Sequence, residues 1–346
     1  MPRFELSWRK ALVGLILVIA FVVLGIELAT LGQQWIASPL IDYDVYVQRG
    51  VAARQGIFFP AEKENPYPLP TTLFVFIPLS FLPPWFKIIW TLGPYLILLF
   101  LFGRAGILWW LYYPMMIQGA TGQMDGWLWI PLLWLFENRP GWAGIGAVLL
   151  LFKPQLAWLT VLVGLIFWIA RRDRVNLFAF TIAFLILWMP SFIIRPLWPL
   201  EVIAPILQRA NESILPTRGA TLWGWVWWYG GWLVWFVPLL LALMGFLAYR
   251  VVRAKPLQTA QCIDLLITPV LYPSNMVMLV PILKKPREIL ILVAASWFAV
   301  ALDGIFNVFG GAYVILPLTT LWLLSNPKIV QTLGKATATT TTSPPG

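Results

Sequence analysis

The chain has 346 residues, of which 60% are hydrophobic and only 11% charged, and its mean hydropathy of +0.81 lies outside the range of ordinary soluble domains. The formal charge of +10 falls in short clusters between apolar runs (Arg171, Arg172 and Arg174; Arg250, Arg253 and Lys255; Lys284, Lys285 and Arg287), a pattern of cytoplasmic membrane loops rather than of a nucleic-acid surface. A single cysteine, Cys262, excludes an internal disulfide, and the lack of histidine excludes imidazole ligands and imidazole acid–base chemistry, so any catalysis must rest on carboxylates and cations.

Residues 1–10 carry Arg3, Arg9 and Lys10, so the head should stay in the cytoplasm and send the apolar run 11–35 outward. That run is too long for a signal-peptide core and reads as a retained anchor. Asp42 and Asp44 then meet the outer face, where partial desolvation raises a carboxylate's pKa and suits it to act as a general base. Arg49 and Arg54, with Val47, Val51 and Ala52, form an amphipathic stretch suited to the interface.

Apolar stretches at 69–82, 86–103, 175–194, 221–249, 257–271, 289–306 and 308–325 are expected to be helical spans. Several are shorter than the roughly 20 residues an untilted crossing needs, and short, proline-broken segments survive at membrane depth only inside protein or along a wet cavity. The run Trp223, Trp225, Trp227, Trp228 and Trp232 reads as an interfacial aromatic belt. Between 105 and 170, loop charge favours a re-entrant segment at 105–117, a crossing inward at 124–136, outward at 142–152 and inward again at 156–170. A rival threading makes 141–170 one tilted helix with Lys153 near mid-membrane. The favoured one gives an all-α integral membrane bundle of about twelve crossings over 1–325, with both ends cytoplasmic and a disordered tail at 326–346.

Under that threading four polar stations reach the outer side: Asp42 and Asp44, Gln123 and Asp125, Lys153 and Gln155, and Ser274 and Asn275. Scattered polar groups converging in an apolar surround are the expected form of a binding site. Lys153 is the candidate phosphate partner, or else a lysine that reaches headgroups; Asp125 serves a sugar hydroxyl or pairs with Lys153. Arg195, Arg209 and Arg218 break the charge trend of the outer loops and are further phosphate candidates. Glu27, Asp264 and Asp303 lie in or near spans, where pairing with a neighbouring helix is the expected role.

The order Asp42-Tyr43-Asp44-Val45-Tyr46, Gly56, Tyr67-Pro68-Leu69-Pro70, Gly122-Gln123, Ala143-Gly144, Lys153-Pro154 and Tyr272-Pro273-Ser274 resembles the polyprenyl-phosphate-sugar-dependent mannosyltransferases of the GT-C type, glycosyltransferase family 87. The resemblance runs from about residue 42 to 287 and implies a GT-C-like fold. It also implies inverting transfer of a hexose, mannose above all, from a polyprenyl-phosphate donor to a lipid-linked or small acceptor outside the cytoplasm, in the cell envelope. The Asp-x-x-Val-Tyr spacing puts the family's base on Asp42, with Asp44 in reserve, and Tyr67 joins the donor site. No metal or other cofactor is expected, because a lipid phosphate leaves without one. The family commonly carries a histidine after the later turn, where this chain has Asn275 and Met276. A transporter or flippase of lipid-linked sugars, or a non-catalytic subunit on the same scaffold, are the alternatives.

Overall fold

In a computed structural model the described residues are 40–58, 67–203, 220–222, 235–268, 271–306 and 311–326. The run 11–35, Glu27, Arg209, Arg218, the tryptophan run 223–232 and the tail lie outside them. The described residues are helical, without strands, and three segments are, by length and composition, long and apolar enough to cross a membrane: Phe86–Leu111 (which doubles back at Gly103), Arg174–Ile194 and Pro286–Ile305. Their outward stripes, such as Ile88, Leu92, Leu96 and Phe100 at a four-residue repeat, are exposed large hydrophobics, the surface of a protein solvated by lipid rather than water.

The first helix, α1 (Ile41–Arg54), buries Tyr43, Tyr46, Gly50 and Ala53, the i, i+3, i+7 face of an amphipathic helix. It lies on α2 (Leu69–Leu79), a short helix opened by Pro70 and interrupted by a π-turn at Thr72–Phe76. The approach is close: a β-carbon on Gly50 would stand 2.0 Å from the Phe76 carbonyl oxygen. The Tyr46 ring stacks on Phe76 with centroids 4.8 Å apart.

Next, α3 (Phe86–Phe102) starts beside α1, where Trp90 lies 5.9 Å from Tyr43. The chain then reverses at Gly103, whose φ of 55° and ψ of −136° belong to glycine's range. A 3-10 helix (Gly103–Leu111) and α4 (Tyr113–Thr121) run back along α3, so that Trp110 packs 5.7 Å from Tyr95 and Tyr95 Oη donates to the Met115 carbonyl at 2.8 Å. The stretch 105–117 lies in an arm that returns along α3, and the helix within the apolar stretch 69–82 is eleven residues or about 16 Å long.

A 3-10 turn (Asp125–Leu128) leads into α5 (Trp129–Phe136), which pairs with α6 (Trp142–Leu150). The chain breaks at 151–157 before α7 (Trp158–Arg171), which rules out a single tilted helix over 141–170. Pro154 explains the break, since it disfavours helical backbone at the residue before it, and Lys153 sits at φ −133°, ψ 72°. The N-terminus of α7 is capped from a distance. Asp264 on α10 (Pro256–Ile267) accepts from the Leu159 and Thr160 amides at 2.9 and 2.8 Å, and Gln261 donates to the Leu156 carbonyl at 2.7 Å. Asp264 thus has the inter-helix structural role expected of it.

Helices α8 (Arg174–Ile194), α9 (Phe236–Val251), α11 (Pro286–Phe306) and α12 (Ile315–Ser325) complete the bundle. At its centre lies the 3-10 segment Pro273–Ile282, in which Ser274 to Ile282 are all buried. Tyr112 Oη and Trp129 Nε1 donate to its Met276 and Val277 carbonyls at 3.1 and 3.0 Å, satisfying backbone groups that an irregular buried helix leaves open. Such a broken segment survives because it is wrapped in protein.

Candidate functional site

The site forms where three chain breaks meet the start of α1. Gly122 ends α4 in the left-handed region, φ 74°, and its carbonyl accepts from Trp90 Nε1 at 2.8 Å. That turn carries Gln123 and Asp125 into the interior. The break before Pro154 delivers Lys153, pinned by Thr71 Oγ1 donating to the Phe152 carbonyl. The Tyr272–Asn275 turn, closed by the Tyr272 amide donating to Asn275 Oδ1 at 2.7 Å, supplies Asn275.

These groups form one network. Asp125 is 0% exposed and Lys153 only 7%. Lys153 Nζ donates to Asp125 Oδ1 and, at 3.3 Å, to Gln123 Oε1. Asn275 Nδ2 donates to Asp125 Oδ2 at 2.6 Å and to Gln123 Oε1 at 3.3 Å. A buried ion pair of this kind persists only when its remaining lone pairs and protons are bonded, and Asn275 and Gln123 supply that. Of the three ammonium protons, two are used among the described residues.

Asp42 joins the network from α1 but is only partly buried. Side-chain hydrogen bonds from Thr121 and Gln123 reach its carboxylate. Burial pushes its pKa above the ordinary value; the charge of Lys153 and the two hydrogen bonds draw it back, and the charge of Asp125 adds to the rise. Tyr67, packed edge-on to Tyr46 and Phe76 at 5.8 and 5.0 Å, has its phenol pushed up by burial and then by the charge of Asp42. The two carboxylates divide two tasks. Asp125 is sequestered and holds a cation, whereas Asp42 is partly exposed and makes no ion pair among the described residues.

Other expected site residues fall elsewhere. Asp44 is exposed, because residues two apart on a helix project to opposite sides. Gln155 is half-buried in the turn Pro154–Leu156 and makes no side-chain hydrogen bond to the described residues. Arg195 follows α8 with its guanidinium on Glu201 at 2.8 Å. Ser274 and Asn275 do not form an outer surface turn, being 1% and 2% exposed. Ser274 Oγ has no hydrogen-bond partner among the described residues. Sequence reasoning missed Thr121 as a partner of Asp42; its position at the end of α4, next to Gly122, was the available signal. Among the described residues no cluster of acidic or cysteine side chains is arranged to hold a metal ion.

No family model, curated protein or solved structure matches the chain.

Proposed function

We propose that this protein is an integral membrane glycosyltransferase that moves a hexose, mannose by resemblance, from a polyprenyl-phosphate donor to an acceptor hydroxyl on the extracytoplasmic side, with inversion. The observation that carries this reading is a reachable carboxylate of raised proton affinity, Asp42, lying in one network with a lysine that a second, buried carboxylate holds in place. In the transfer step the acceptor oxygen bonds to the anomeric carbon as its proton passes to Asp42. The bond from that carbon to the phosphate oxygen breaks, and the electron pair leaves with the phosphate. A base with a raised pKa is better matched to this task near neutrality. A positioned N–H on Lys153 stabilises charge that develops on the leaving oxygen, and removing one such donor typically slows a reaction about 100- to 1,000-fold. No acid is needed, unlike in glycosidases, because a phosphate departs unprotonated.

The membrane arrangement that fits this reading keeps about twelve crossings and cytoplasmic ends, with amended threading. The α1 and α2 helices stay on the outer side, α3 runs inward, residues 103–121 return and α5 runs inward again. Arg104, Arg139, Arg171 and Lys284 then lie on the cytoplasmic side, as the charge rule asks.

The test is sugar transfer by purified protein in detergent, using radiolabelled polyprenyl-phosphate-mannose, a membrane lipid extract as acceptor and EDTA. Wild type and Asp44→Asn should transfer, and Asp42→Asn should not. Equal transfer by wild type and Asp42→Asn would remove Asp42 as the base; no transfer from mannose, glucose or galactose donors by any form would overturn the transferase reading.

A further inference from the structure

At the end of the bundle away from Asp42, α3 and α5 part. At Gly93 the two arms are in tight contact, since a β-carbon there would stand 2.3 Å from the Trp127 ring. Farther along, the helices diverge around a groove of about 370 Å³ whose walls include Leu96, Ile97, Phe100, Ile130 and Trp134, with Arg139 at its end. Leu96 and Phe100 are exposed, so the groove opens toward whatever surrounds the bundle.

We infer that this groove binds one anionic glycerophospholipid, an acyl chain lying between α3 and α5 and the phosphate meeting Arg139. Length supports a lipid chain. From Gly93 to Phe102 the helix rises about 13.5 Å, a little under half of the roughly 30 Å hydrocarbon layer and so close to the depth of one leaflet. Charge supports an anionic headgroup. Arg139 Nη2 and Lys284 Nζ share one carboxylate, Glu137, at 2.7 and 3.2 Å, so two cations meet one anion there, with Asp173 the neighbouring carboxylate, bonded to Asn138 at 3.5 Å. Arg104, two residues beyond the end of α3, is exposed and adds another cation at the same end. Basic pockets between spanning helices on the cytoplasmic side are suited to such headgroups, and a guanidinium pairs well with phosphate. The site is remote from Asp42 and independent of the transfer chemistry.

Native mass spectrometry of the full-length protein in detergent, mixed with phosphatidylglycerol or phosphatidylcholine of matched chains, tests this. Wild type should retain one phosphatidylglycerol in preference to phosphatidylcholine. Arg139→Gln should retain phosphatidylglycerol roughly tenfold more weakly, the usual effect of losing a hydrogen bond to a charged group, with phosphatidylcholine unchanged. Glu137→Gln frees both cations and should bind phosphatidylglycerol more tightly. Equal retention of the two lipids by wild type, or full retention by Arg139→Gln, would mean bulk lipid only. If Arg139→Gln fails to fold, Glu137→Gln decides alone, and unchanged or weaker retention by it overturns the proposal.

Discussion

Replacing Lys153 by methionine keeps most of the side-chain volume and removes the charge, leaving the Asp125 carboxyl without its cation in a place with no solvent contact. Among the described residues only Asn275, at 2.6 Å, would still donate to it. Breaking one half of a buried pair typically costs about 3–5 kcal/mol, because the remaining charge is uncompensated. That is a large share of the usual 5–15 kcal/mol of net stability. The double variant Asp125→Asn/Lys153→Met has no charge left to strand and should lie within about 1–2 kcal/mol of wild type, a coupling well above the ~0.5 kcal/mol expected of independent sites. The protein carries its own reporter: Cys262 is its only cysteine and is wholly buried, so a thiol-reactive dye in detergent signals opening of the core on heating. A loss of under about 1 kcal/mol in Lys153→Met, or a double variant no better than the sum of the singles, would refute the argument that the two charges hold each other in place.

The raised pKa of Asp42 means that the folded state favours its protonated form. Its ionisation is therefore destabilising, with the effect absent below the ordinary carboxylate value, growing as pH rises from that value to the raised folded one, and constant above it. Asp42→Asn should melt above wild type at pH 7 while losing transfer, with the melting difference closing as pH falls; no closure would argue against this sign. Gly50→Ala must push α1 off the Phe76 carbonyl, 2.0 Å away, and should cost about 1–3 kcal/mol along with most transfer, read from melting and activity together. Asp264→Ala strips the cap from α7 and should lower stability by about 1–3 kcal/mol, while transfer per folded molecule stays at the wild-type level.

The candidate site was legible where local chemistry forces the chain to turn. Pro154 cannot follow a helical residue easily, Gly122 accepts a left-handed backbone, and Pro273 opens a new segment; each break carries a polar side chain, so three of the four stations are marked by the sequence itself. The choice between Asp42 and Asp44 needed the knowledge that this loop is a helix, after which their two-residue spacing separates them. The reversal at Gly103 was hidden because the turn lies inside an apolar run, and in lipid-facing sequence hydrophobicity no longer distinguishes a continuing helix from one that doubles back. Burial of Ser274 and Asn275 was equally hidden, since polar residues after a Tyr-Pro pair look like a surface turn until Asp125, the partner of Asn275, is known to be interior.

The enclosure of Pro273–Ile282 has a consequence for biogenesis. Asn275 reaches Asp125 across 150 residues of chain, so a nascent polypeptide inserts Asp125 and Lys153 long before the amide that completes their network has been synthesised. During that interval the centre of the bundle lacks its filling and the charged pair lacks one of its donors. The site is therefore assembled by late arrival rather than by local folding, and membrane quality control would meet every partly made chain as a hollow bundle with a polar heart.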